Sequence, residues 1–267
     1  MVASPKPWCF ATMFVLTHTP TQQGRTWTTE KALFRVFALR LLNHTQLPLH
    51  ILHNLAAPPY NVLAGIAPDV GTRVHFHHVD LIHGHTSGFQ RHYEHMYTKL
   101  HAWQVLAPLC STVALVDYDV LTLRPPDGIF GACGGALLCA VRTNRNASYF
   151  NGGLLVFPPN ENTFARMKRM VATERERGQR RDDAEQGLLN EWYPAWKPLP
   201  REYNTQGVAG GASWSEDTTV FLHEKYWLLP ADVQMRLLPK GEGRARPTLL
   251  NHMHSFFKHA LAALMFF

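Results

Sequence analysis

The sequence predicts an α/β protein with one mostly parallel central sheet flanked by helices. Strand-like and helix-like segments alternate over the first 120 residues, and the strand-like runs are almost continuously apolar. Such runs, when helices connect them, are typical of parallel strands that are buried on both faces. Hydrophobic residues fill 46% of the 267 positions, which is enough for a full core and excludes a disordered chain. No hydrophilic linker divides the sequence, so we expect residues 1–267 to form a single domain.

The first half follows the βαβαβ order of such a sheet. Residues 8–16 are β-rich and predict the first strand, which runs into a turn-forming stretch that begins with Thr17. Apolar residues then recur at helical spacing up to Asn43, and Thr28 or Thr29 is the expected N-cap of this helix. Further strands are predicted over residues 47–53 and 73–79, with a short helix over residues 58–67.

The fourth predicted strand carries the first candidate site residues. A helix over residues 96–107 leads into a strand over residues 112–120, which is apolar until Asp117. Because side chains alternate along a strand, Asp117 and Asp119 are expected on one side of it, at its carboxyl end. In open parallel sheets, ligands bind outside the carboxyl ends of the strands.

Asp117 and Asp119 follow an apolar strand, and two carboxylates that are buried there need a cation to offset the cost of burying their charge. A hard divalent ion, Mn²⁺ or Mg²⁺, that also binds diphosphate oxygens would suit the Asp-x-Asp pair; a loop or capping role is the alternative interpretation. His252 and His254 are spaced to point the same way from a strand. One neutral imidazole added to two carboxylates would favour Mn²⁺.

The second half is predicted to contain two more strands, two helices and a loop-rich final third. Asp182 is the expected N-cap of the second helix, and Glu185 is its capping-box partner three residues later. The alternative interpretation is that a carboxylate and the Gln186 amide face a sugar here. The predicted strands cover residues 136–141 and 153–157, and the predicted helices cover residues 163–177 and 185–192.

The charge and the cysteine content indicate which binding partners and which cellular compartment to expect. The net charge of +6 suits an anionic partner, but no nucleic-acid-binding motif accompanies it, so no nucleic acid partner is expected. The four cysteines lack CxxC spacing, and free thiols are expected. No apolar run reaches the roughly 20 residues that cross a bilayer, so we expect no transmembrane segment and a cytoplasmic protein. Asn43 and Asn146 begin glycosylation sequons, tripeptides that also occur by chance.

Six short blocks of this sequence, taken together, resemble glycosyltransferase family 8, the glycogenin-like retaining transferases that use nucleotide sugars. They occur in the family's order over most of the chain. In this sequence the blocks are residues 97–103, 116–120, 150–158, 185–190 and 199–204, followed by His252 with Lys258 six residues later.

The resemblance implies a GT-A fold and a set of site residues. Residues 1–120 would form a nucleotide-binding half that ends in the Asp-x-Asp motif, and residues 121–267 a half for the sugar and the acceptor. Glu185 stands where the family usually has Asp. The implied metal ligands are Asp117, Asp119 and His252; the implied donor-binding residues are Thr17, Lys99, Tyr118, Asn151, Gly152 and Gln186; the implied catalytic residues are Glu185, Gln186 and Lys258.

The implied activity is transfer of a hexose from a UDP-sugar to an acceptor hydroxyl, with Mn²⁺ or Mg²⁺ as cofactor. The acceptor is a carbohydrate, a lipid or a protein. No Tyr follows Asn204 until Tyr226, so a separate acceptor is expected rather than self-glucosylation. The alternatives are a pseudoenzyme that binds a nucleotide sugar or glycan and a phosphate-ester hydrolase or nucleotidyltransferase. The family also allows a homodimer, and a Golgi lumen location if an N-terminal anchor precedes this chain.

Overall fold

The computed structural model describes residues 6–15, 27–59, 63, 72–86, 93–144, 146–181, 183–207 and 214–223. Ten strands and five α-helices form in these segments. The strands are β1 (Trp8–Phe14), β2 (Leu49–His53), β3 (Val74–His78), β4 (Thr112–Val116), β5 (Val120–Thr122), β6 (Cys139–Arg142), β7 (Phe150–Phe157), β8 (Lys197–Pro198), β9 (Thr205–Gln206) and β10 (Phe221–His223). The α-helices are α1 (Trp27–His44), α2 (His101–Val105), α3 (Gly128–Cys133), α4 (Glu161–Glu176) and α5 (Ala184–Trp192), and 3₁₀ turns cover Met96–Leu100 and Arg201–Tyr203.

Seven strands form the central sheet in the order β3-β2-β1-β4-β7-β6-β8. Strand β7 pairs antiparallel with β4 and β6, and the other neighbours in this sheet pair in parallel. The predicted mostly parallel sheet is therefore confirmed. A second, three-stranded sheet has the order β5-β10-β9 and lies beyond the end of β4.

Helices cover both faces of the central sheet, as the apolar strands predict. On one face, α2, α4 and α5 enclose a cluster in which Trp103 stacks on Phe157 with ring centroids 3.7 Å apart. On the other face, α1 and α3 enclose a cluster that contains Phe10, Phe34 and Phe37, all fully buried. The central strands are thus held between two apolar layers, and their carboxyl ends are available for polar chemistry.

The four cysteines form two disulfides, so the expectation of free thiols is wrong. Cys9 in β1 bonds to Cys110, just before β4, and Cys133 in α3 bonds to Cys139 in β6. The first bond joins cysteines 101 positions apart. Parallel pairing of β1 with β4 brings them together, and spacing along the sequence does not reveal this.

Several element boundaries differ from the sequence predictions. Helix α1 already includes Trp27, so Thr28 and Thr29 lie in its first turn rather than at an N-cap. The N-cap of α5 is Asp183, which makes no side-chain capping bond, and Asp182 lies outside the described residues. The predicted helix over residues 58–67 lies mostly outside the described residues, and its first two prolines are not helical. Among the residues described, no helix combines the length and apolarity needed to cross a membrane.

Candidate active site

The chain leaves the sheet at the end of β4 and turns sharply through Asp117, Tyr118 and Asp119. The Asp117 backbone N–H donates to the Gly153 carbonyl at 2.9 Å, and the Val120 N–H donates back to the Asp117 carbonyl at 3.1 Å. The predicted single strand over residues 112–120 is therefore wrong: a turn separates β4 from β5. The turn still places both carboxylates at the carboxyl end of β4, where the sequence predicted them.

The turn also brings a histidine to the two carboxylates. Strand β5 pairs antiparallel with β10, and this register places Val120 opposite His223. Ligand atoms of Asp117, Asp119 and His223 all lie within 4.8 Å of one another, and His223 Nε2 is 3.7 Å from Asp119 Oδ1. Two carboxylates and one imidazole, all partly exposed, form a donor set that fits Mn²⁺.

Hydrogen bonds orient the His223 ring. Its Nδ1 is 2.9 Å from Asn204 Oδ1. The Asn204 amide is itself fixed, because its Nδ2 donates to Asn151 Oδ1 at 3.0 Å, and the Gly153 N–H donates to that same oxygen at 2.9 Å. Nδ1 of His223 therefore donates to Asn204 Oδ1, and Nε2 is left facing Asp119. Partners of this kind hold a metal-binding imidazole in one tautomer.

Gly153 allows the histidine to approach β7. A Cβ atom at this position would lie 2.1 Å from Cε1 of His223 and 2.6 Å from its Nδ1. Such distances are far inside van der Waals contact, so a side chain here would displace the imidazole. Because Gly153, the second glycine of the Asn-Gly-Gly segment, has no side chain, the His223 ring can occupy this space.

Lys99 is buried beneath the turn and bridges two carboxylates. Its Nζ lies 2.8 Å from Oδ1 and 2.9 Å from Oδ2 of Asp117, and 2.9 Å from Oε1 of Glu185. Burial by itself would lower the pKa of Lys99, but the two carboxylates outweigh it and the pKa is raised. The ammonium therefore stays charged.

Neighbouring groups and burial act in opposite directions on the pKa of the Asp117 carboxyl group. Burial raises the pKa of its carboxyl group, the neighbouring Asp119 acts in the same direction, and Lys99 opposes both. A divalent cation at this turn would favour the ionised carboxylate and so relieve the cost of burying it.

Glu185 and Gln186 face the site from the first turn of α5. Glu185 is buried against Lys99. Because its carboxylate contacts that ammonium and α5 is not side-chain capped at Asp183, the predicted capping box is wrong. Gln186 Oε1 accepts the Gly152 N–H at 2.8 Å and lies 3.4 Å from Asn151 Nδ2. The structure thus brings Asn151, Gly152 and Gln186 together beside the carboxylates.

The remaining predicted site residues divide into one that is described and three that are not. Tyr118 packs edge-on against Phe14 and Phe34, with ring centroids 5.9 and 6.3 Å away. It therefore joins the turn to the end of β1. Thr17, His252 and Lys258 lie outside the described residues.

Sequence reasoning missed His223 and the orienting role of Asn204. His223 is separated from any motif, and its place in the site depends on the pairing of β10 with β5. The available signal was weak: an apolar run of three residues, 220–222, followed by one histidine, as at the end of a buried strand.

Comparisons with known proteins give no matching family model, but they do give relatives. A glycogenin from Cryptococcus neoformans is 35% identical over 141 residues, covering 48% of this chain and 15% of that protein. Glycogenin-1 from Caenorhabditis elegans is 28% identical over 107 residues, covering 40% of this chain and 23% of that protein. The matched regions therefore amount to less than a quarter of either relative's length.

Solved glycosyltransferases share the fold. The galactosyltransferase LgtC, solved with donor and acceptor sugar analogues, superposes with a TM-score of 0.63 at 15% identity and covers 89% of this chain and 99% of its own. The glycosyltransferase GlyE from Streptococcus pneumoniae gives a TM-score of 0.58 at 17% identity and covers 93% of this chain and 60% of its own. The predicted GT-A fold is confirmed.

Proposed function

We propose that this chain, a relative of the glycogenins with the GT-A glycosyltransferase fold, is a retaining glycosyltransferase that moves a hexose from a UDP-sugar to a separate acceptor with the help of Mn²⁺. The observation that carries the proposal is the turn after β4. There, Asp117, Asp119 and His223 converge beside a cluster of amides. A metal-binding group next to hydrogen-bonding amides is what a sugar diphosphate requires.

In this proposal, the turn residues hold the metal and the diphosphate. Asp117, Asp119 and Nε2 of His223 provide ligands, and His252 is a further ligand candidate from the sequence. When bound, Mn²⁺ supplies positive charge that stabilises the diphosphate leaving group. Lys258 remains the candidate for a direct phosphate contact. Because the hydrogen bond to Asn204 already orients the His223 ring, the imidazole needs no reorganisation when the donor binds.

The amide cluster provides contacts for the sugar. Asn151 and Gln186 both carry side-chain amides and lie on adjacent elements, β7 and α5. Their donors and acceptors suit sugar hydroxyls, which both donate and accept hydrogen bonds. Glu185 lies behind them and holds Lys99, which in turn holds Asp117. We therefore propose that Glu185 positions the metal-binding turn, in addition to the catalytic role that the family resemblance implies.

The test is release of UDP from a panel of UDP-sugars, with a sugar acceptor mixture, in Mn²⁺ or in chelator. We expect release from one donor in Mn²⁺, and a loss of at least about 100-fold in chelator and in Asp119→Asn. The control is Glu161→Gln, an equivalent carboxylate-to-amide change at the exposed start of α4, which should leave the rate unchanged.

Other outcomes would contradict the proposal. Mn²⁺-dependent binding of UDP without turnover of any donor would support a pseudoenzyme. Release of UMP in place of UDP would indicate phosphate-ester or nucleotidyl chemistry. If neither binding nor release depends on Asp119, the turn is not a metal site.

A further inference from the structure

The two disulfides indicate the compartment in which this chain matures. All four cysteines of the sequence are paired, each is at most 2% exposed, and the bonds link β1 to β4 and α3 to β6. None lies in a CxxC motif of the redox-active type. Structural disulfides persist in oxidising compartments and are rare in the cytosol. The disulfides therefore favour an oxidising compartment over the cytoplasmic location expected from the sequence.

In such a compartment, the two sequons become candidates for modification, and their geometry differs. Asn146 lies in the exposed loop between β6 and β7. Its Oδ1 accepts two hydrogen bonds from the sequon serine, one from the Ser148 N–H at 2.9 Å and one from its hydroxyl at 2.8 Å. The asparagine and hydroxyl of this sequon are thus in contact with each other and open to solvent.

This loop holds its shape through local bonds. The Asn146 N–H donates to Thr143 Oγ1 at 3.1 Å, and the Thr143 N–H donates to the Tyr149 carbonyl at 2.9 Å. The sequon conformation therefore forms with the hairpin and stays accessible after folding. An N-glycan is bulky and polar, and an exposed loop accommodates it without disturbing the core.

The second sequon is built into packed structure. Asn43 is exposed but lies in the last turn of α1, so its backbone belongs to the helix. Its hydroxyl residue, Thr45, is 4% exposed, and Thr45 Oγ1 donates to Asp127 Oδ1 and accepts the Leu47 N–H at 3.1 Å. Recognition of this sequon would require the helix end to unwind and Thr45 to leave its partners.

We propose that this chain matures in an oxidising, glycosylating compartment and carries an N-linked glycan on Asn146 but not on Asn43. Each S–S bond forms as two thiols pass two electrons and two protons to the disulfide of an exchange protein, whose own S–S bond breaks to give two thiols. In the glycosylation step, Asn146 Nδ2 forms a bond to the anomeric carbon of a lipid-diphosphate-linked oligosaccharide. The bond from that carbon to the diphosphate breaks with its electron pair, and the Nδ2 proton passes to a base of the transferring enzyme.

The cysteine state is tested on the protein purified from its own cells after immediate thiol trapping. Under denaturing conditions, we expect no maleimide adduct before reduction and adducts on all four cysteines after it. Free thiols in the trapped protein would overturn the proposal as a whole.

The glycan is tested on the same material. Enzymatic removal of N-glycans in heavy-oxygen water should convert Asn146, and not Asn43, to labelled Asp in peptide mass spectra. In cells that express the full protein, Asn146→Gln and Ser148→Ala should abolish the mobility shift that glycan removal causes. Ser148→Thr, which restores a sequon hydroxyl, and Asn43→Gln should keep the shift. An unmodified Asn146, or a glycan on Asn43, would overturn the site assignment.

Discussion

At the scale of single residues, the candidate site depends on charges and spaces that its motifs do not show. Lys99 and Glu185 are buried together beneath Asp117, so this part of the turn rests on an ion pair. His223 occupies a space that exists because position 153 has no side chain. Each of these features can be tested by one substitution.

Replacing Lys99 should lower the free energy of unfolding more than replacing its partner Glu185. Lys99→Met leaves the buried carboxylate of Glu185 and the partly exposed one of Asp117 without their cation, and removing one member of a buried ion pair costs about 3–5 kcal/mol. Glu185→Gln keeps a hydrogen-bonding oxygen near the ammonium and should cost less. Urea unfolding of both variants measures the difference. Partial recovery in the Lys99→Met, Glu185→Gln double variant would support the pairing, and simple additivity would contradict it.

Adding one carbon at position 153 should weaken metal binding. In Gly153→Ala the new Cβ would meet His223 Cε1, so the imidazole must move away from Asp119. We expect about a 10–100-fold lower Mn²⁺ affinity, measured by calorimetry, because the change disturbs an orienting contact. Gly131→Ala is the matched control: a Cβ there meets nothing within 4 Å, and affinity should not change. Equal affinity in both variants would argue against His223 as a ligand.

Site residues that belong to a motif could be predicted from the sequence, and those that belong to none could not. Asp117, Asp119, Asn151 and Gln186 each belong to a short motif, and the structure places all four at one end of the sheet. His223 belongs to no motif. Its position depends on pairing between segments far apart in the chain, which leaves no periodic or spacing signal.

At the scale of elements, strands and helices were predicted better than their ends. Most apolar runs became strands because burial on two faces requires continuous hydrophobicity. Boundaries depended on local hydrogen bonds instead. The turn after Val116 forms because Asp117 bonds to Gly153 of β7, a contact that the apolar pattern of β4 does not contain.

The parallel pairing of β2 and β3 stacks histidines and makes stability depend on pH. The register sets His50 opposite His75, and His50 Nδ1 lies 2.9 Å from His77 Nε2. Burial, with smaller effects from His77 and His75, lowers the pKa of His50 from 6.5 to about 3. The pKa values of His53 and His77 are lowered as well, mainly by burial.

Acid should therefore unfold the protein partly through His50. In the unfolded chain, His50 binds a proton below pH 6.5, whereas in the folded protein it stays neutral until about pH 3. Its contribution to stability is complete above pH 6.5 and is lost as the pH falls. At pH 5.5, one such histidine lowers the free energy of unfolding by about 1.4 kcal/mol. Urea unfolding at pH 7.5 and 5.5 should show a smaller pH effect in His50→Gln than in wild type.

A second histidine provides the control for this prediction. His83 is exposed and lies outside β2 and β3. His83→Gln should retain the wild-type pH effect on the free energy of unfolding. The assignment to His50 fails if both variants lose the effect equally, or if neither does.

At the scale of the whole molecule, the strand order determines where the candidate active site lies and which cysteines form disulfides. The α/β class and the mostly parallel sheet followed from alternating apolar segments, but the strand order did not, because residue patterns do not specify neighbours. That order places β1 between β2 and β4, which is why Cys9 meets Cys110. It also places the start of β7 beside the end of β4, where the amides join the carboxylates.

The two disulfides should contribute unequally to stability because they close loops of different length. Cys9 and Cys110 are 101 positions apart, and Cys133 and Cys139 are 6 apart. In the chain-entropy description, the disulfide that closes the long loop raises the free energy of unfolding by about 4.7 kcal/mol, and the one that closes the short loop raises it by about 2 kcal/mol. Urea unfolding of the Cys9→Ser, Cys110→Ser and the Cys133→Ser, Cys139→Ser variants compares them directly. Both remove two buried sulfur atoms, so each pair is the other's control for lost packing. An equal loss would mean that local packing, rather than constraint of the unfolded chain, is the main contribution of these bonds.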